Sequence, residues 1–450
     1  MFISQITSQY NQNPIIFSRD YFASNLTPVQ TGGRITAIRA QRTFFMTIAW
    51  GQSNIQIMCE STNPCLEAIR SLHVGDVIEV DGTLMRSMRG ELSIAPSSVV
   101  VNSRTEHNLE LRRDFEGRGD NIREVNLMRN SQLMQNMYAR SNIVQATRQY
   151  MFERSFMEIE TPMLHDNPSG ASARTFETHC NANDHRYHLR IAPEIYLVRA
   201  LMTGFEQIFE IGHNFRNEGI SNRHQPEFTM MECYRAFSDY AWAMDFVEEF
   251  LNSLGERFNC PILTQEFSRL TYQEALIAYH PEIANYAFPY MDCLDDQSLI
   301  ENRSWLISQL PQNRNYEDTN LGMLQYMVFE SIDSLIIEPT FVTNHPVQIS
   351  PLAQAIDNTQ ETQRFELFIN GRELGNGFSQ LIDLPEQRRR FEMQSMNQID
   401  DAMRTDHVYM DSMSYGFPRI GGFGIGIDRL VMLLTHQDDI RDVVLFPINS

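Results

Sequence analysis

Residues 215–234 read FRNEGISNRHQPEFTMMECY. The pattern predicts two strands joined by a polar loop around a Gly-Ile-Ser-Asn turn. Arg216, Glu218, Arg223, His224 and Phe228 fall within 13 residues of one another. A guanidinium grips a phosphate through two parallel hydrogen bonds, and a phenyl ring offers a flat face to a purine. A salt-bridged hairpin with no ligand would use the same residues.

Two downstream stretches point the same way. In RFELFINGRELGNGFSQ (364–380), Glu366 and Glu373 flank the Gly371-Arg372 turn. Strand, turn and strand would bring their carboxylates together, a hard oxygen donor set that suits Mg²⁺ on a phosphate. Two carboxylates are also a common surface feature. In GGFGIGIDRL (421–430), a glycine-rich strand runs into a helix and delivers Arg429 at its start. The glycines would admit a ligand close to the backbone, and strand–helix packing would use them equally well.

Working outward, a helical pattern runs from Ser131 through NMYARSNIVQATRQYMFERSF, and FMEIETPML then turns extended. Residues 250–337 have mainly helical spacing and suggest an insertion or packing layer without chemistry. Nearer the N-terminus, GGRITAIRA, TFFMTIAW, NIQIMCE, DVIEVDGTLM and ELSIAPSSVVV make five strand candidates, with the helical PCLEAIRSLH after the third. That order is that of an OB-type five-stranded β-barrel. The expected organisation is a loose polar extension at 1–28, an OB-type barrel at 29–108, a charged linker at 109–130 and a large α+β domain at 131–450.

Composition narrows the class. The chain has 450 residues, with 57 acidic and 36 basic side chains and a net charge of −21. No apolar run approaches the roughly 18 residues of a membrane helix, and the N-terminus lacks a basic secretory n-region. A cytoplasmic protein without a membrane partner is expected. Cys59, Cys65, Cys180, Cys233, Cys260 and Cys293 show no zinc spacing and read as reduced thiols. So acidic a chain attracts RNA poorly at long range, which leaves local arginines such as Arg34, Arg39, Arg42, Arg86 and Arg89 to supply any attraction.

Taken together, FMEIETPML, FRNEGIS…RHQPEF and GFGIGIDR stand in the order of the three motifs of class II aminoacyl-tRNA synthetases. SGASARTFETH, LRIAPEIYL, PEFTMMECY, SPLA, GRELGNGFS and IRDVVLFP further resemble the bacterial-like lysyl-tRNA synthetases of that class. The resemblance runs from about Gly32 to Pro447. It implies an antiparallel catalytic sheet flanked by helices, preceded by an anticodon-binding barrel. It also implies ATP and lysine as substrates, Mg²⁺ as cofactor, tRNA(Lys) as partner and a homodimer formed around residues 140–164.

The same resemblance assigns roles to residues. Arg216 would hold the α-phosphate and the amino-acid carboxylate, with Arg216 and Arg429 as the catalytic pair. Glu218, Arg223, His224 and Glu366 would contact ATP, and Phe228 and Arg429 would sandwich the adenine. Glu366 and Glu373 would bind magnesium. Gly170, Glu194, Glu232, Tyr234, Asn376, Phe378 and Gln380 would form the amino-acid pocket. Arg39, Phe45, Gln56 and Glu91 would read the anticodon by stacking and hydrogen bonding.

Two departures stand out against the family. Its NGFSE pattern ends here in Gln380, which keeps an acceptor oxygen and loses a charge worth about 1.5–3 kcal/mol against an ammonium. The N-terminus also lacks the lysine-rich helix that often precedes the barrel. Two other readings are a ligase using a lysine analogue or a non-tRNA acceptor, and a non-catalytic tRNA-binding regulator. Protein-modifying relatives usually lack the barrel, and a degenerate regulator would have lost Arg216, Arg429 or the carboxylates.

All 36 basic residues are arginine, and the chain contains no lysine, where about 25 would be ordinary. Helix propensity does not demand this, because Arg and Lys are near-equals there. Three causes compete: synthesis that does not depend on Lys-tRNA, a composition imposed by design or selection, and protection from acylation by the enzyme's own adenylate. Ordinary synthetases make the same adenylate and keep their lysines, which disfavours the third. Translation in a lysine-depleted extract is expected to yield full-length, active enzyme while lysine-containing proteins stall. Full-length product without activity would undercut the autonomy reading.

Overall fold

A computed structural model describes the chain except for residues 13–16, 41–42, 107–121, 168–169, 172, 280–295, 312–315, 317–318, 320, 397–405 and 449–450. It divides into two compact units, Met1–Tyr138 and Ala139–Ser450. The division falls inside a helix, Ser131–Glu153, eight residues beyond the expected start of the larger domain. Most of the expected linker lies outside the described residues; Arg123–Arg129 is a helix.

In the first unit, β1 (Pro28–Ala40), β2 (Phe44–Trp50), β3 (Ser53–Cys59), β4 (Val77–Arg86) and β5 (Leu92–Ser103) close a barrel in the order β1-β2-β3-β5-β4. The helix expected after the third strand is Leu66–Arg70. Strict alternation sends Phe44, Met46 and Ile48 inward with Ile55, Ile57 and Cys59, and leaves Phe45, Thr47 and Gln56 on the outer face. At Gly82, beside a register shift, a Cβ would lie 2.2 Å from the Ala95 carbonyl oxygen, so only glycine lets β4 and β5 approach there.

The expectation of a loose extension at 1–28 is corrected. Ile3–Asn11 and Arg19–Ser24 are helices, and Ile3, Ile6, Tyr10 and Phe22 are buried in the barrel's own core. Positions 3, 6 and 10 share one helical face, a period obscured by the surrounding Asn and Gln. Arg86 holds this segment down. Its Nε donates to the Phe17 carbonyl at 2.6 Å, Nη1 to Gly90 at 2.7 Å and Nη2 to Tyr10 at 2.9 Å. Arg86 is therefore a buried strut and not an RNA contact. Arg34 is likewise engaged, donating to the Gly75 carbonyl at 2.7 Å. Arg39 and Arg89 are exposed, and Arg42 lies outside the described residues.

In the second unit the strands are β6 (Met157–Glu158), β7 (Leu164–His165), β8 (Glu177–Cys180), β9 (His185–Leu189), β10 (Gln207–Phe215), β11 (Glu227–Ala236), β12 (Ser268–Thr271), β13 (Thr340–Thr343), β14 (Arg364–Phe368), β15 (Glu373–Ser379) and β16 (Ile420–Gly426). Eight of them form a sheet in the order β12-β13-β14-β15-β16-β11-β10-β6. It is antiparallel except at its two outermost pairs. One face carries Phe209, Met231, Cys233, Phe365, Leu367, Phe423 and Ile425 into a core shared with helices Ser131–Glu153, Tyr240–Phe258 and Ile427–Leu434. The other face is left for the cleft. The helical stretch within 250–337 builds a second core around Leu324, Phe329, Val342 and Phe368.

Candidate active site

The three stretches singled out in the sequence meet on one sheet. β10 and β11 are the predicted hairpin, with residues 216–226 as its loop. β16 pairs with β11 on one side and β15 on the other. Directly opposed residues share a face, so rows run across the sheet. Glu210, Glu232, Gly424, Asn376 and Glu366 form one row, and Tyr234, Gly422, Phe378 and Arg364 the next. Each row crosses β16 at a glycine. A Cβ at Gly422 would fall 2.1 Å from the Tyr234 ring, and one at Gly424 would fall 2.8 Å from Met230 Cε. The glycines thus clear the floor of a cleft of 1430 Å³.

Fourteen of the fifteen predicted ligand-site residues line this cleft: Gly170, Glu194, Arg216, Glu218, Arg223, His224, Phe228, Glu232, Tyr234, Glu366, Glu373, Asn376, Phe378 and Arg429. Gln380 does not. It is buried, its Nε2 donating to Tyr409 Oη at 3.2 Å.

One end of the cleft is rich in donors. The Arg216 guanidinium lies 5.2 Å from the centre of the Phe228 ring, and its buried Nε has no partner. Arg429 Nη1 donates to the Glu373 carbonyl at 2.6 Å and pairs with its carboxylate at 3.4 Å. Arg429 Nη2 lies 3.1 Å from His224 Nε2, and His224 Nδ1 lies 3.0 Å from Ser221 Oγ. Burial, and then the Arg429 charge, hold the His224 pKa below its ordinary value. The ring is therefore neutral near pH 7, accepting from Arg429 at Nε2 and donating to Ser221 from Nδ1.

The opposite end is rich in acceptors. Glu194 and Glu232 are buried, and Tyr234 Oη donates to Glu232 Oε2 at 3.0 Å. Burial raises the Glu232 pKa to about 7, against the Tyr234 hydrogen bond and the charges of Arg190 and Arg216. Burial, with Glu232 alongside, pushes Glu194 well above the usual carboxylate range. Glu194 Oε1 and Gln380 Oε1 are buried without donors. Like-charged carboxylates and orphaned acceptors call for a cation with several N–H groups. Behind them, fully buried Arg190 pairs with Glu210 and donates from Nε to the His213 carbonyl at 2.8 Å.

Between the two ends, Glu366 is buried and paired with Arg364 at 2.7 Å. Burial lifts its pKa to about 7, with Arg364 opposing and Glu373 and Glu330 adding to the rise. These hard, crowded oxygens fit a divalent cation. Among the described residues no group of three or more His, Cys, Asp or Glu is arranged to hold one alone. Phosphate oxygens and water would have to complete its shell.

The sequence reading missed several wall residues. Met323, Tyr326 and Glu330 enter from helix Leu321–Glu330, inside the stretch expected to carry no chemistry. Arg364 was also missed: Nε donates to Asn376 Oδ1 at 2.9 Å and Nη1 to the Ile349 carbonyl at 2.9 Å. Its spacing of two from Glu366 in a strand was the available signal.

In the other unit, the outer barrel face gathers the four remaining predicted residues. Arg39 lies opposite Phe45 in the β1–β2 register, and Gln56 lies opposite Thr47, two residues from Phe45. Gln56 Nε2 donates to Glu91 Oε2 at 2.9 Å, and Ser93 Oγ donates to Gln56 Oε1 at 3.0 Å. A half-exposed ring beside an exposed guanidinium and an oriented amide makes a platform for an unstacked base.

Sheet, glycine stripe and the motif order around the cleft together define a class II synthetase site. Residues 121–450 match the family model described as tRNA synthetases class II (D, K and N). The lysine–tRNA ligase of Thiobacillus denitrificans is 39% identical to this chain, over 96% of it and 88% of the relative. Those of Paraburkholderia phymatum and Paraburkholderia phytofirmans are 39% and 36% identical, covering 95% and 98% of this chain and 87% and 88% of their own. The chain belongs to the class II tRNA synthetases, in the family of the lysine–tRNA ligases.

The raised carboxyl pKa values fix a pH dependence. A Glu232 pKa of about 7 against the ordinary 4.5 means the native state binds more protons than the unfolded chain between those values. Stability is therefore expected to fall as pH rises through that window. Affinity for a cationic ligand, which favours the ionised carboxylate, rises instead. Glu232→Gln should flatten the stability slope between pH 5 and 7 without abolishing it, since Glu366 titrates there too. Urea unfolding at stepped pH checks this; an unchanged slope would refute the assignment.

Proposed function

We propose that this protein activates lysine with ATP as the adenylate and transfers it to the 3′ end of tRNA(Lys). The observation that carries the reading is the polarity of one cleft, with arginines around Phe228 at one end and buried carboxylates at the other. It is supported by relatives whose names are lysine–tRNA ligase.

The lysine ammonium would sit among Glu194, Glu232 and Tyr234, and the adenine between Phe228 and Arg429. The amino-acid carboxylate then attacks the α-phosphorus, pyrophosphate leaves, and Arg216 stabilises the charge that builds on the phosphate oxygens. Glu366 and Glu373 would hold Mg²⁺, which when bound neutralises phosphate charge. The terminal ribose hydroxyl of tRNA next attacks the aminoacyl carbonyl, and AMP leaves. No side-chain nucleophile is needed. The barrel platform of Arg39, Phe45, Gln56 and Glu91 would take the anticodon.

The chain is read as cytoplasmic. Cys59, Cys65, Cys180, Cys233 and Cys260 are all free thiols, in keeping with a reducing compartment, and Cys293 lies outside the described residues. Among the described residues no helix is long and apolar enough to cross a membrane. Exposed Phe152, Met157, Met163 and Leu164 cluster in sequence at the end of the long helix and the extended segment after it. They are the apolar surface through which two copies would associate. Sedimentation should read twice the chain mass of 52.3 kDa, and a monomer at micromolar concentration would refute the dimer.

ATP–pyrophosphate exchange tests the activity, with lysine the expected stimulant among the twenty amino acids. Arg429→Ala should lower exchange about 100- to 1000-fold while leaving the unfolding midpoint in place. Phe45→Ala should spare exchange and cut tRNA charging. Near-normal exchange in the first variant, or a defect confined to exchange in the second, would overturn these roles.

A further inference from the structure

The two proposed faces of the adenine site are not held apart by strand pairing. The β11–β16 ladder runs from Ala236–Ile420 to Met230–Gly426 and stops there. Phe228 lies just beyond its end on β11, and Arg429 just beyond it in the first turn of helix Ile427–Leu434. Their neighbours in the chain are joined instead. The backbone N–H of Thr229 donates to Asp428 Oδ2 at 2.9 Å. Asp428 Oδ1 accepts from Arg140 Nη1, and Arg140 Nη2 donates to Thr229 Oγ1 at 2.9 Å. The remaining contact of Arg140 Nη1 is the Val443 carbonyl at 3.2 Å. Asp428 and Thr229 are buried.

We infer that Arg140, Asp428 and Thr229 are positioning residues that set the gap of the nucleotide clamp. This rests on the ATP site proposed above. The Asp428 carboxylate takes over where the ladder ends: one oxygen holds the residue after Phe228, and its own backbone leads directly into Arg429. The guanidinium of Arg140, reaching in from the long helix, neutralises that buried charge and closes the triangle through the Thr229 hydroxyl. A carboxylate left there alone would be costly, and an amide in its place could accept from only one of the two donors, the Thr229 N–H or Arg140, and would turn its own N–H2 toward the other. The triangle fixes Phe228 relative to Arg429 without touching the amino-acid end of the cleft. It therefore acts on nucleotide affinity and leaves lysine affinity alone.

The test uses the full-length enzyme in ATP–pyrophosphate exchange, with KM for ATP and for lysine measured separately. Asp428→Asn and Arg140→Gln should each raise the ATP KM about tenfold or more, with the lysine KM within twofold. Thr229→Val should raise the ATP KM in the same selective way by about threefold, and Thr229→Ser should restore it. The Arg140→Gln/Asp428→Asn double variant should be no worse than the poorer single variant, because the residues act as one unit. Equal shifts in both KM values, no shift, or additive shifts would overturn the proposal. Should Asp428→Asn fail to fold, the Thr229 pair decides alone. Should the wild type not exchange at all, the function reading fails. Calorimetric titration of ATP into wild type and Thr229→Val then still decides the clamp: a selective loss of affinity supports it and equal affinity sinks it.

Discussion

Everything in the cleft depends on the in-register antiparallel pairing of β10, β11, β16, β15 and β14. Because the side-chain period of a strand is two, one register assigns a whole row of residues to the ligand face and the alternate row to the core. Slipping β16 by one residue would carry Phe423 and Ile425 into the cleft and Gly422 and Gly424 into the core. No local adjustment could repair that. The apolar face enforces the register, and the ligand face inherits its geometry from it.

The cleft gathers charge that a fold alone would avoid. Glu194, Glu232 and Glu366 are buried within one site, and burial lifts the pKa of each. Half-buried Arg216 stands at the other end with a buried, unpartnered Nε. Arg364 in the wall and Arg190 behind it offset part of this, each through several hydrogen bonds that only a guanidinium fork can make. The remainder is an electrostatic imbalance that a zwitterion joined to a polyphosphate would relieve. Pre-set charge of this kind costs stability when the site is empty and requires little reorganisation when it is filled.

Strand-based features were legible in the sequence because their signal is local. The five barrel strands, the helix after the third, the hairpin around residues 216–226 and the strand–helix junction before Arg429 all follow from alternation and turn residues. What was not legible depends on chain folding over long separations. Tyr326 and Glu330 reach the cleft only because helix Leu321–Glu330 packs beneath the sheet edge through Leu324, Val328 and Phe329. The N-terminal helix escaped notice because three apolar residues in a polar stretch give a faint period until a barrel receives them. The burial of Gln380 was not legible either, since a linear motif gives neighbours in sequence and not distance from solvent.

The arginine-only composition separates into two groups in the structure. Arg86, Arg190, Arg364 and Arg390 are buried or largely so, and each donates to carbonyl or carboxylate oxygens lying in different directions. A lysine has three donors on one atom and could not span those partners, so the fold itself selects arginine there. Arg39, Arg89 and Arg186 are exposed. Exchange with lysine at solvent-facing positions ordinarily changes stability by no more than about 0.5 kcal/mol. Packing therefore accounts for the first group and leaves the second unexplained. A cause for the second group would have to act on the amino-acid alphabet of the chain, at synthesis or at the amine itself, because folded-state stability barely distinguishes the two side chains there.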